Sequence, residues 1–250
     1  MAKQTGLGDQ FYLDGYNFSG DTAAIDEIGG GNDPLPSTGI DKSAMERLGG
    51  ARDGRMNVTS WFNPAVGATH DIYGDLPRTD VQLTYLRGQG YGSPAASLVA
   101  KQIGYDGSRG DDGSFTFKVE AKGSAYGLEW GRQATPGVGT FGGAAATASI
   151  DYGAAEGTTN FGLQAYLHVF AFTGTSATVT IQSSTDDGGA DAFSAVTGGA
   201  FTAMTAIGAQ RIQTGRTAAV ERYVRLNVTG TFTLLWFTVN VVKNTTAVVF

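Results

Sequence analysis

A two-residue rhythm restricts the fold of this chain more than any other feature. From Ser114 to Lys122, Phe115, Phe117, Val119 and Ala121 share one face while Thr116, Lys118, Glu120 and Lys122 share the other, as in an antiparallel strand with one buried and one wet side. Alternation also sets Val58 and Phe62 against Thr59 and Trp61 within Asn57 to Phe62. It groups Val81, Leu83 and Tyr85 within Asp80 to Leu86, and then Tyr126, Leu128 and Trp130. A sustained helical period is almost absent. These segments read as one sheet system in a mainly β chain.

Composition fits that reading. Among 250 residues there are 38 Gly against 6 Pro, with no collagen period, which implies short strands joined by many tight turns. With 41% hydrophobic residues the chain can bury a core, and with no Cys it has neither disulfides nor thiolate metal sites. Met1-Ala2-Lys3-Gln4 opens into polar and Gly residues without an apolar leader, and no run approaches the roughly 20 apolar residues of a membrane span. The expectation is a soluble chain made in the cytoplasm, with no membrane partner. Acidic residues outnumber basic ones 23 to 17, for a formal charge of -6, and no basic stripe marks a surface for gripping phosphates.

One short helix is expected from about Lys42 to Leu48, with Asp41 as N-cap, Gly49-Gly50 as the stop, and Ile40 and Met45 stapling its start. Ala44 and Leu48 lie one turn apart and would face the sheet. Between Gln133 and Ala148 the chain turns to Gly, Ala and Thr, a composition suited to a linker. The expected organisation is therefore a domain over 1-142 and a second β-sandwich, Ig-like or jelly-roll-like, over 143-250. Its strands are read at Leu163 to Phe172, Ala177 to Ser183, Glu221 to Val228 and Leu234 to Val242.

Residues able to do chemistry are few. His70 and His168 cannot make a three-His zinc site. His168 alternates with Tyr166 and Phe170 on one strand face, which favours a structural role, and His70 beside Asp71 would need a Ser brought from elsewhere to complete a triad. The run Asp106-Gly107-Ser108-Arg109-Gly110-Asp111-Asp112-Gly113 lacks calcium-loop spacing and reads as a hairpin end, as does the cluster of Asp186, Asp187 and Asp191. Gly6-Leu7-Gly8 and Gly29-Gly30-Gly31 do not sit between a strand and a long helix, so they are not phosphate cradles; the sequons at Asn57, Asn227 and Asn244 carry no weight without a secretory leader. Trp61, Trp130 and Trp236, with Tyr16, Tyr85 and Tyr223, suit a core or a subunit interface better than a sugar platform. No catalytic, cofactor-binding or metal residue is assigned, no cofactor is expected, and the chain is read as non-enzymatic.

The first half carries a resemblance. Phe11 to Asp21 reads as an opening strand and leads to Ser37-Thr38-Gly39-Ile40-Asp41. There follow the turn Ala44 to Leu48, then Gly49-Gly50-Ala51-Arg52-Asp53-Gly54, and the strand Asn57 to Asn63. This order resembles the major tail proteins of long-tailed, siphovirus-type bacteriophages, particularly those infecting actinobacteria. In these a Thr-Gly, a short helix and Gly-Leu-x-Asp-Gly precede a strand ending in Phe-Asn or Phe-Asp. Here Ala51 stands where Leu is commoner. Ser97 to Trp130 is similar to the closing strands of that family, so the resemblance covers about Phe11 to Trp130. The second half is similar to surface modules on phage tails, and Arg222 to Leu226 also to discoidin-like carbohydrate-binding domains.

The resemblance implies a tail-tube-type β-sandwich or barrel and a virion location. Copies of the chain would form six-membered rings stacked around a channel through which DNA passes without specific binding, with tape measure and terminator proteins as further partners. An acidic surface would leave DNA mobile in such a channel, so a net negative lumen is expected. The Gly-rich arm from Asp21 to Gly39 and the helix after it would contact the next ring. The rival expectations are a capsid or tail decoration, or an adhesin whose second domain touches host-surface glycans. A glycoside hydrolase would need two facing carboxylates, whereas Asp and Glu here gather in turns.

Overall fold

The structure, a computed structural model, describes residues 5-77 and 79-247; the opening Met1 to Gln4, on which the reading of the leader rests, lies outside them. In chain order the strands are β1 (Gln10–Leu13), β2 (Tyr16–Asn17), β3 (Thr22–Gly29), β4 (Asn32–Pro36), β5 (Arg47–Arg52), β6 (Arg55–Trp61), β7 (Val81–Leu86), β8 (Pro94–Arg109) and β9 (Phe115–Gly123), then β10 (Glu129–Gln133), β11 (Gly139–Phe141), β12 (Ala145–Ala146), β13 (Ile150–Asp151), β14 (Leu163–Ser184), β15 (Ser194–Ala200), β16 (Gly208–Gln213) and β17 (Tyr223–Lys243). One helix, α1 (Thr69–Tyr73), lies between β6 and β7. The chain is mainly β, antiparallel and of β-sandwich type, as the alternation implies.

Its contacts divide it into two compact units, one drawn from residues 1-20, 82-97 and 130-250, the other from 21-81 and 98-129. The units are thus not the consecutive stretches 1-142 and 143-250. Two local facts account for the difference. Asp14 (φ 44°) and Gly15 (φ 86°) form a two-residue turn that folds β2 back on β1, in place of one continuous opening strand. A Cβ on Gly15 would come within 2.5 Å of the Val169 carbonyl, so the tip lies directly on β14 and joins the opening residues to the late strands. The Gly, Ala and Thr stretch after Gln133 is also no free linker, because β11 and β12 pair with β17. Small side chains there permit close pairing.

The first unit is organised around β14 and β17, paired from Leu163 opposite Lys243 to Ser184 opposite Tyr223. Each merges two of the strands read from sequence. Leu163, Leu167, Val179 and Ile181 of β14 meet Leu226, Val228, Phe237 and Val239 of β17 in one buried cluster. Both ends of the ribbon therefore face a single core, which requires the ribbon to bend. The register slips between Val169 and Ser176 provide the bend. Gly174 (φ 157°) and Gly230 (φ 129°) sit there, each so close to the opposite backbone that a Cβ would approach within 2.4 Å or less. The outer edges of the ribbon are covered by β10, β11, β12 and β13 on β17, and by β15 and β16 on β14.

In the second unit β6 pairs with β3 on one side and β9 on the other, and β9 pairs with β8. Met56, Val58, Val119 and Ala121 are buried, whereas Lys118, Glu120 and Lys122 face out, so the predicted alternation of β9 holds from Lys118 to Lys122, while Phe115 at its start is exposed. The helix α1 is fixed by Thr69, whose hydroxyl donates to the Trp61 carbonyl at 2.8 Å, and by the buried Tyr73, whose carbonyl accepts from the Gln102 amide at 2.9 Å.

No helix forms over 42-48. That stretch is a loop running into β5, which pairs with β4 as a separate two-stranded ribbon. The Lys42 and Glu46 side chains still meet one turn apart, but Ile40, Met45 and Leu48 are all exposed. A one-turn helix is held by tertiary packing, and there is no core beneath this one to supply it.

Candidate functional site

Both histidines are engaged in contacts within the fold. His168 is fully buried in the first unit. The Gly15 amide donates to its Nδ1 at 3.3 Å, so the ring carries its proton on Nε2 and donates it to Thr84 Oγ1 at 2.9 Å. Thr84 then meets the Ser97 hydroxyl at 2.9 Å, which accepts from Asn240 Nδ2 at 2.9 Å. This chain of polar groups ties β7, β8, β14 and β17 together. Burial pushes the imidazole down to about 3, leaving it neutral at physiological pH. Beside Gly15 in sequence, the Asp14 carboxylate accepts from the Gln82 amide at 2.7 Å, while burial lifts its pKa to about 6.

His70, in the second unit, meets the Tyr105 hydroxyl at 2.9 Å and packs against Phe62, Phe117 and Tyr105. The Asp71 carboxylate accepts from the Gly67 amide at 2.8 Å instead of orienting the imidazole. The triad geometry is not assembled.

In the acidic loops, Asp112, Asp186 and Asp191 accept hydrogen bonds from their own loops. Asp112 Oδ1 accepts from the Ser114 amide at 2.9 Å at the tip of the β8–β9 hairpin, and those hydrogen bonds hold its pKa below the usual range. Asp186 accepts from the amides of Gly189, Ala190 and Asp191, while Asp191 accepts from the Thr185 amide and hydroxyl. Among the described residues no group of three or more His, Asp or Glu is placed to hold a metal.

What remains is surface. Along the β4–β5 ribbon every residue but Gly50 is exposed, and Leu35, Ile40, Met45 and Leu48 project their apolar side chains into solvent. Its base is closed, with the Asp53 amide donating to the Gly31 carbonyl at 2.8 Å. Beside it in sequence, β3 pairs among the described residues only with β6, which leaves its other edge open there, interrupted by register slips at Thr22 to Ala24 and Ile25 to Glu27.

The six aromatics singled out from sequence do not converge. Trp236 and Tyr16 share an open groove of about 510 Å3 with Val138 and Phe170. Trp130 borders a smaller recess of about 220 Å3 with Arg132, Tyr152, Glu156 and Lys243. The Tyr85 hydroxyl donates to Asp9, Tyr223 lies 4.8 Å beneath the Arg222 guanidinium, and Trp61 stands half exposed at the end of β6. Sequence reasoning passed over Arg132, Tyr152 and Lys243. The one available signal was the spacing of Trp130 and Arg132, which puts both on one strand face.

No family model and no curated protein sequence matches the chain. Among solved structures, a chain of the native gene transfer agent virion is 16% identical, with a TM-score of 0.39, over 51% of this chain and 98% of its own. The Dit protein of phage SPP1, described as a hub of the adsorption apparatus in phages infecting Gram-positive bacteria, is 10% identical, with a TM-score of 0.33, over 94% of this chain and 99% of its own. A chain of the phage p2 baseplate in its activated conformation is 9% identical, with a TM-score of 0.34, over 95% and 99% respectively.

Proposed function

We propose that this chain is a structural virion protein, a tail-tube subunit whose copies assemble into stacked six-membered rings around a channel for DNA. The resemblance over Phe11 to Trp130 supplies the family expectation. The observation that carries the reading is the β4–β5 ribbon, two paired strands and a connecting loop with four large apolar side chains in water, Leu35 and Leu48 on the strands and Ile40 and Met45 in the loop, and no core of their own. An isolated two-stranded ribbon is marginal in water, and exposed apolar side chains clustered on one projection favour a partner surface.

The open edge of β3 supports the same reading. Bulged edges discourage indiscriminate pairing and admit a partner of matching register, which a second copy of the same chain provides. A head-to-tail contact that closes makes a ring, and a second that does not close makes a stack. The ribbon lies within the Gly-rich arm and following segment expected from the sequence to contact the next ring, now as paired strands in place of a loose arm and a helix.

Excising Asn32 to Arg52 and joining Gly31 to Asp53 tests this, because those two residues are already hydrogen-bonded. The expected result under negative-stain electron microscopy is tubes or rings from the full chain and dispersed, folded particles from the excised one. Tubes that persist without the ribbon overturn the assignment.

A further inference from the structure

The recess beside Trp130 is built differently from the other surfaces. Trp130 and Arg132 lie two apart on β10 and so project from one face, yet Trp130 remains 52% exposed. Arg132 is fixed at three points: Nη2 donates to Glu156 Oε1 at 2.7 Å, Nη1 donates to the Asp151 carbonyl at 3.1 Å, and the guanidinium lies 4.6 Å from the centre of the Tyr152 ring. Lys243 is buried, 5.0 Å from that same ring centre, and donates to the carbonyls of Gly157 and Glu221. The Tyr152 hydroxyl donates to the Val241 carbonyl at 3.2 Å. The walls are therefore set before any ligand arrives, which lowers the entropy lost on binding.

The chemistry of the walls selects a ligand class. The recess carries a formal charge of +1, but both cations are already engaged, Arg132 by Glu156 and the Lys243 ammonium by two carbonyls, so a ligand need not bring a counter-charge. Arg132 keeps further N–H donors and Glu156 keeps its second carboxylate oxygen, presenting donor and acceptor side by side as vicinal hydroxyls require. Above them stands the exposed indole, an apolar plate on which the C–H face of a ring can rest. The volume of about 220 Å3 falls below the roughly 300 Å3 at which drug-sized pockets begin, so a single ring fits and an oligomer does not. The Trp236 groove, by contrast, is larger and has no charged wall.

We infer that the recess formed by Trp130, Arg132, Tyr152, Glu156 and Lys243 is a binding site for one neutral pyranose, stacked on Trp130 and hydrogen-bonded to Arg132 and Glu156. This site is independent of tube assembly. A ligand of so few atoms binds weakly, with a Kd on the order of 1 mM.

Saturation-transfer NMR on the full chain tests the site, using the methyl glycosides of glucose, galactose, mannose, rhamnose and N-acetylglucosamine as probes. The expected result is transfer to the ring protons of at least one probe, reduced at least tenfold in Trp130→Ala and retained in Trp236→Ala. Thr245 lines the mouth of the recess, so Thr245→Trp obstructs it without touching the platform and also abolishes the signal. Circular dichroism confirms that each variant is folded. The proposal is overturned if none of the five probes receives saturation, or if transfer survives both Trp130→Ala and Thr245→Trp. It is also overturned if Trp130→Ala abolishes tubes, since the indole is then a subunit contact.

Discussion

The molecule contains two antiparallel ribbons that share a hydrogen-bonding pattern and little else. In β14–β17 alternate side chains enter a common core and flanking strands cover the edges. In β4–β5 the ladder is formed but nearly every side chain is in water, and two prolines interrupt one strand. Backbone pairing is thus not what separates a finished part of this fold from an unfinished one. The difference is burial, which supplies most of the free energy that offsets chain ordering. The β14–β17 ribbon is complete within one chain, whereas β4–β5 buries almost none of its side chains and, under the proposed function, takes its surface from another copy.

The largest effect should come from the finished ribbon. Phe237 is fully buried, opposite Val169 on β14 and Gly139 on β11 and with its ring 5.4 Å from that of Phe141, and Phe237→Ala is expected to lower the unfolding free energy by about 3–5 kcal/mol. Urea unfolding measures this, and a loss below about 1 kcal/mol would remove the contrast between the ribbons.

An intermediate effect probes how firmly the β1–β2 turn is locked onto β14. The folded chain retains the Asp14 proton between 3.8 and about 6 while the unfolded chain has released it, so stability falls as pH rises through that window and stays lowered above it. Asn accepts the same hydrogen bond from Gln82 and tolerates the left-handed backbone. Asp14→Asn should therefore stabilise the chain at pH 7 by on the order of 1–2 kcal/mol and make no difference below about pH 4. Thermal melts across that range check the sign. His168 acts in the opposite direction: its folded pKa lies below the unfolded value of 6.5, so stability is lost as pH falls from 6.5 towards 3.

The smallest effect on the isolated chain belongs to the unfinished ribbon. Leu35→Ser with Leu48→Ser removes apolar surface that is already in water, so the unfolding free energy should change by less than about 0.5 kcal/mol per site. Under electron microscopy the same pair is expected to abolish tubes. Stability lost without any change in assembly would place these leucines in a core.

The legibility of the sequence follows the same division. Alternation in β6 and in the second half of β9 was readable because each has a core side, whereas β7 is buried on both faces, and the structural role of His168 was readable from its neighbours on one face. The course of Asp14-Gly15 was missed although an Asp-Gly pair between alternating residues signals a hairpin, because the reading followed the apolar rhythm through it. The continuity of β14 across Gly174 was missed for the opposite reason: a glycine that bends a strand cannot be told from one that ends it until the opposing backbone is seen. Capping signals around Lys42 to Leu48 were present, but no local signal reveals that nothing lies beneath. The Trp130 recess draws on residues 130, 132, 152, 156 and 243, which only the β10–β17 pairing brings together.

Hydrogen exchange at the amides of Asn32 to Arg52, compared between dilute and concentrated protein, tests the central claim most directly. The β4–β5 amides should exchange rapidly when the chain is dilute and become protected when it assembles, while those of β14 and β17 stay protected throughout. Equal protection of β4–β5 at every concentration, or rapid exchange even where particles have formed, would contradict an outside partner for this ribbon.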